Sequence, residues 1–232
     1  MRRVFGSLLV AAAVVLPSIS SAQDESSRAV AGGGVSVTGW TGKVDAKEAA
    51  GGAKLSDAKL SGTAKELMVT TGPATTYWNP ANKATGNYTV KATFNELKYQ
   101  NLNTHPHPYG IVVGGNDLGT DGASFLYCAA YGNGTFIVRG FGPASFQLNG
   151  GRGGANDAVH KAAGVGQPVT QDIAIQVKAD AIDCIINGTV VGSYPRATVV
   201  MDGKLKSTDG VYGIRFAHNT EAVVTGLTMT KN

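Results

Sequence analysis

The sequence is poor in charge, in cysteine and in long apolar runs, and each shortage excludes something. Only 16% of its 232 residues are charged. No block of Lys and Arg forms a basic stripe, so no nucleic-acid partner is expected. After Ala22 no apolar run is long enough to cross a bilayer, so no membrane span is expected. The two cysteines, Cys128 and Cys184, lie in no metal-ligand motif. A nucleophile elbow is missing, and the Gly-rich stretch at Gly150-Gly151-Arg152-Gly153-Gly154 follows no strand-to-helix pattern, which argues against a nucleotide site.

What the N-terminus does contain is an export signal. Arg2 and Arg3 precede an apolar run from Leu8 to Leu16, and Ser20-Ser21-Ala22 supplies small residues before a cut after Ala22. No Cys follows the run, so a lipid anchor is not expected. The expectation is a secreted or periplasmic protein made with a signal peptide over 1–22. Removing those 22 of 232 residues leaves 210, and losing Arg2 and Arg3 lowers the formal charge from +4 to +2. That length suits one domain. Residues 23–38 are small and polar and read as a flexible lead-in. Residues 39–232 read as a single β-sandwich domain.

Glycine is abundant, at 32 residues, and Val, Ile, Thr and Tyr recur between turn residues. This composition favours short strands joined by tight turns. Strands are expected at 67–71, 88–95, 109–114, 124–131, 135–141, 173–178, 181–187, 189–194, 211–217 and 222–230. Over 88–95 the alternation is clean, with Tyr88, Val90, Ala92 and Phe94 on one face. Residues 46–50 can form one helical turn. Trp78-Asn79-Pro80, 82–87 and the long stretch 142–166 read as loops.

Two Asn-Gly dipeptides mark hairpins. Around Asn187-Gly188, a two-residue turn pairs Ile186 with Thr189 and Cys184 with Val191. A turn at Ala179-Asp180 pairs Ile175 with Cys184. Cys184 then faces the core. Around Asn133-Gly134 two registers compete. A two-residue turn sets Cys128 opposite Arg139. A three-residue loop pairs Tyr131 with Thr135 and gathers Leu126, Cys128, Phe136 and Val138 on one face. The second register is preferred because it buries no arginine in the core. Under it the two cysteines can bridge in an oxidising compartment; the alternative is two buried free thiols.

The preferred register leaves Tyr127, Tyr131, Ile137, Arg139 and Phe141 on the other face. Aromatic rings stack on the C–H faces of sugars, and Arg donates to hydroxyls or carboxylates. These four polar and aromatic residues, with Tyr109 and His107 at the rim, are the candidate ligand-binding set. Arg152 and His160, from the long loop, are candidate loop contacts. The competing reading is that loops or the N-terminal segment cover this face as a second small core.

The order of several segments resembles a known superfamily. Tyr88-Thr89-Val90-Lys91-Ala92-Thr93-Phe94, Tyr109-Gly110-Ile111-Val112-Val113-Gly114-Gly115, Ile186-Asn187-Gly188-Thr189-Val190-Val191 and Gly210-Val211-Tyr212-Gly213-Ile214-Arg215 resemble successive strands of concanavalin A-like, laminin-G-like domains. Bacterial 3-keto-disaccharide hydrolase-like domains are the most similar. The resemblance implies an all-β fold, a two-sheet antiparallel jelly-roll sandwich with a concave face, and a carbohydrate or glycoside ligand. It allows binding, glycoside cleavage or a structural and adhesive role. The Glu-x-Asp-x-x-Glu strand of the glucanase branch is missing, so a non-catalytic binding role is favoured. No cofactor is expected. Calcium at the rim-loop oxygens of Asn116, Asp117 and Asp121 is the alternative, although acids are few there. A metal at His105-Pro106-His107-Pro108 requires a third ligand, for which His160 or Asp117 are the candidates.

Overall fold

The computed structural model describes residues 27–151 and 153–232. The expected signal peptide and Arg152 lie outside the described residues. The strands are β1 Gly34–Val35, β2 Thr41–Val44, β3 Ala58–Thr63, β4 Glu66–Thr71, β5 Thr75–Ala84, β6 Tyr88–Glu96, β7 Tyr109–Asn116 and β8 Ser124–Tyr131. They continue as β9 Thr135–Phe141, β10 Phe146–Gln147, β11 Gly154–Ala155, β12 Val169–Val177, β13 Ala181–Ile186, β14 Thr189–Pro195, β15 Gly210–Phe216 and β16 Glu221–Lys231. Among the described residues two short α-helices, α1 Ala46–Ala50 and α2 Arg196–Val199, and a 3-10 turn, Leu55–Asp57, intervene.

The strands form two sheets. The first runs β1-β3-β4-β16-β6-β12-β13-β14, and the second β10-β9-β8-β7-β15-β5-β2, with β11 also paired to β9. All pairings are antiparallel except β1 with β3. The result is an all-β jelly-roll sandwich. Alternation dictates its core: Tyr88, Val90, Ala92 and Phe94 of β6 are all buried, and they meet Tyr109, Ile111, Leu126 and Phe216 of the opposing sheet.

The three-residue loop sets the β8–β9 register, with Tyr131 opposite Thr135 and Cys128 opposite Val138. Gly134 has φ +88° there, and the Asn133 Oδ1 accepts from the Thr135 amide at 3.1 Å. Cys128 and Cys184 both face the core and form a disulfide that joins the two sheets. The β12–β13 register is as expected, with Ile175 opposite Cys184. In β13–β14 a bulge follows Cys184, so its partner is Gly192 and not Val191.

Three further expectations change. Trp78-Asn79-Pro80 lies within β5 and not in a loop. The ladder to β15 is irregular beyond Trp78, and β2 pairs only as far as Trp78, so Pro80 sits where its missing N–H breaks no regular pairing. The 142–166 stretch contributes β10 and β11, both folded back on β9. The described part of the 23–38 lead-in has fixed partners. Val37 is buried, Ser36 N donates to Leu60 O, and the Arg28 guanidinium donates to Thr71 O and Thr220 O.

Candidate functional site

The outward face of the second sheet carries a second, smaller apolar cluster. Trp78, Val112, Phe125, Tyr127, Ala129 and Ile137 are buried in it. Strands β7 and β8 are therefore covered on both faces, which is why their burial does not alternate. Above this floor lie two adjoining cavities of about 990 Å³ and 240 Å³. Arg139, Arg215 and His218 line both.

Arg215 is the centre of the floor. Pairing of β15 with β7 and β5 points it outward, where it is only 7% exposed. Its guanidinium grips Asp45 with both terminal nitrogens and donates to Thr76 Oγ1 at 3.0 Å. Three rings surround it, with centroids 5.0 Å (Phe141), 5.1 Å (Tyr127) and 5.8 Å (Phe125) from Cζ. Burial disfavours its charge, but Asp45 and Tyr127 outweigh burial and hold its pKa above the ordinary arginine value. Arg215 is thus a fixed cation committed to the protein. Resemblance to a strand motif placed it in sequence, but nothing local marked it as a groove residue. Its partner Asp45 lies 170 residues away.

Arg139 differs. It is half-buried, opposite Tyr127 in the β8–β9 ladder, and its Cζ stands 5.3 Å from the Phe141 ring centroid. Among the described residues no carboxylate pairs with it. Tyr131 and Phe141 are also half-buried beside it. Burial, with Tyr127 close by, pushes the Tyr131 phenol up to about 12, so it remains a neutral donor. Tyr127 is only 4% exposed. Its ring stacks against Phe141, 6.2 Å between centroids, and supports the surface from beneath.

Two expected members fall elsewhere. Tyr109 is not at the rim: it is fully buried between the sheets, stacked on Phe94 and Phe216. Side-chain parity sends Tyr109, Ile111 and Val113 inward together. His160 does not reach the groove. It packs beside β12 of the other sheet, with its amide donating to Gln171 Oε1 and its Nδ1 2.8 Å from Thr170 O.

The wall of the larger cavity opposite Arg139 comes from Asp45 and α1. Of the described lead-in, Ser27 alone reaches it. Glu48 lies on this wall and accepts from the Ala74 amide at 3.0 Å; desolvation holds its carboxyl above the usual range. Lys43 and Asp121 pair across the rim at 3.0 Å. The Asn116 amide is taken up by Gly114 O and Asp209 O.

His107 does belong here. It lines the smaller cavity with His105 and His218. The β7–β15 register sets Phe216 opposite Tyr109, and the Ala217 amide continues it by donating to Pro108 O at 2.9 Å. Extending that register by one step brings His218 opposite His107. His105 lies two residues earlier, on the same side of an extended, proline-held segment. The ring centroids are 3.9 Å (His107–His218) and 4.4 Å (His105–His107) apart. One nitrogen from each ring lies within 4.8 Å of the others. Neither Asp117 nor His160 is part of this group.

No protein-family model matches the chain, and no curated protein resembles it significantly. Solved structures do share its architecture. The exoplasmic/lumenal domain of VIP36, in its Ca2+/Man2-bound form, aligns with TM-score 0.51 at 9% identity over 84% of this chain and 81% of that one. The carbohydrate-binding module CBM66 from Bacillus subtilis aligns with TM-score 0.47 at 8% identity, over 85% and 98%. Sheep galectin-11 aligns with TM-score 0.40 at 14% identity, over 64% and 92%. This chain shares the two-sheet jelly-roll sandwich fold with the VIP36 domain.

Proposed function

We propose that the protein binds a carbohydrate in the groove on the outward face of the β9-β8-β7-β15 sheet, and that an acidic sugar is favoured. The observation that carries this reading is Arg139. Its guanidinium stands on the wall common to both cavities, against Phe141, with no carboxylate partner among the described residues. A sugar carboxylate or hydroxyl pair fits such a fork, while Phe141 and Tyr131 offer partly exposed rings beside it. The VIP36 domain of the same fold was captured with Ca2+ and Man2, which makes sugars the first ligand class to test. Export from the cytoplasm accords with this reading, because the Cys128–Cys184 bridge is at home in an oxidising compartment.

The test is titration of the chain with acidic and neutral oligosaccharides, followed by Trp and Tyr fluorescence. Binding of an acidic member, weakened roughly 10-fold or more in Arg139→Ala, is the expected result, since a charge-assisted hydrogen bond contributes about 1.5–3 kcal/mol. A flat response across the panel overturns it. A second reading, glycoside cleavage of the 3-keto-disaccharide type, is favoured by one feature: Glu48, a groove carboxyl whose pKa burial raises above the ordinary value. Product release from a 3-keto-glucoside in the same panel would move the assignment there. The structural alternative, a groove filled by residues 23–38, is supported in the described part of that segment by Ser27 alone, which lines the larger cavity.

A further inference from the structure

We propose that His105, His107 and His218 bind one divalent transition-metal ion, of the zinc type, at the end of the groove. The three imidazoles arrive from two segments far apart in sequence, and each segment is held independently of any ligand. Pro106 and Pro108 fix the backbone around His107. The turn after β15 is pinned on several sides. Thr71 Oγ1 donates to Ala217 O at 2.7 Å, Asn219 N donates to Gly72 O at 3.0 Å, and Asn103 Nδ2 donates to Asn219 O at 3.2 Å. The Arg28 amide donates to Asn219 Oδ1 at 2.7 Å. A site whose ligands are held this way loses little entropy on binding.

The donor set selects the metal class. Three imidazole nitrogens suit zinc, copper or nickel, whereas calcium and magnesium require oxygen ligands that are not part of the cluster. Nitrogens around one zinc lie about 2.0–2.1 Å from it. Tetrahedral ligation at that distance sets the nitrogens about 3.4 Å apart, so the present separations, within 4.8 Å, contract when the ion binds. His107 is buried and His105 exposed, so the cluster is protein on one side and open on the other. Three protein ligands with an open position are the arrangement of zinc sites that take a water or a ligand oxygen. The open side adjoins the small cavity lined by Tyr127, Tyr131, Arg139 and Arg215. The Arg139 guanidinium, which has no carboxylate partner among the described residues, favours an anionic oxygen as the fourth ligand beside a dication. This last step rests on the acidic-sugar reading above; the metal site itself does not.

The experiment uses the tag-free chain without sugar. It is equilibrated with Zn2+, dialysed and assayed for metal, and Co2+ is titrated as a spectroscopic probe. One equivalent of zinc and the intense visible bands of tetrahedral Co2+ are expected. Loss of an outer hydrogen-bond partner already weakens such sites about 10–100-fold, so His105→Ala and His218→Ala should lose at least that. His160→Ala, outside the cluster, should match the parent. His105 is exposed, so its variant keeps the test valid if a His218 variant misfolds, which far-UV circular dichroism reports. Less than a tenth of an equivalent bound, or equal binding by His105→Ala and the parent, overturns the proposal. Sugar binding repeated in chelator separates the two readings. Sugar binding without metal binding defeats the site alone, and metal binding without sugar binding leaves the site and defeats the groove reading.

Discussion

At the scale of single residues, the fold keeps two acids under different regimes. Asp45 is gripped by the Arg215 guanidinium, whereas Glu96, at the end of β6, is buried with little to keep it charged. Desolvation pushes its pKa up to about 7, against smaller opposing contributions from the Tyr109 hydroxyl and the Gln100 backbone. An acid whose folded pKa exceeds its unfolded value binds more protons when folded. Stability from this group is therefore present at low pH and declines as pH rises from the ordinary glutamate value of 4.5 to about 7. The size is about 3 kcal/mol, at 1.36 kcal/mol per unit. Glu96→Gln should flatten that decline, matching the parent near pH 4.5 and exceeding it at pH 8. Urea melts across this range measure it, and a variant no more stable at pH 8 contradicts the assignment. His218 shows why such sites elude sequence reading. A lone histidine in Ala217-His218-Asn219 has no local spacing to mark it, and only the β7–β15 register brings it to His107.

At the scale of elements, legibility followed the asymmetry of burial. β6 has one covered face and one mixed face, and its period-two pattern was readable. β7 is covered on both faces, so nothing in Tyr109-Gly110-Ile111-Val112-Val113 distinguishes inward from outward, and Tyr109 was misassigned. The β8–β9 register was legible because one arginine made the alternative costly. The Asn187-Gly188 turn was legible from the dipeptide itself, set between apolar runs, but its side-chain role was not. Asn187 has φ +49°, and its side chain accepts from Asp172 N at 2.8 Å while donating to Ala158 O at 2.7 Å and Gln171 Oε1 at 2.8 Å. It ties the β13–β14 hairpin to β12 and to the segment bearing His160. Asn187→Ala should cost about 3 kcal/mol, from lost hydrogen bonds and a left-handed backbone. Asn187→Gly should recover about 1 kcal/mol of that by relieving the backbone alone. Equilibrium unfolding of both variants checks the order; equal losses would mean that the hydrogen bonds carry the whole effect.

At the scale of the whole molecule, one covalent link holds the two layers in register. Cys128 lies on the inner face of β8, a groove strand, and Cys184 on β13 of the opposite sheet. Their side chains point into the core, while the groove residues Tyr127 and Arg139 point the other way. The bridge closes a loop with a sequence separation of 56, for which loss of unfolded-chain entropy gives about 4 kcal/mol of stabilisation. Cys128→Ala with Cys184→Ala avoids burying a hydroxyl and should lower the midpoint by roughly 10 °C. Reductant should destabilise the parent by a comparable amount and leave the double variant unchanged. Because the link acts from the core side, the folded double variant should bind metal and sugar as the parent does. A loss of groove binding at temperatures where circular dichroism shows an intact fold would mean that the disulfide shapes the outward face as well as stabilising the sandwich. A parent insensitive to reductant would remove the bridge, and with it the support that an oxidising compartment lends to export.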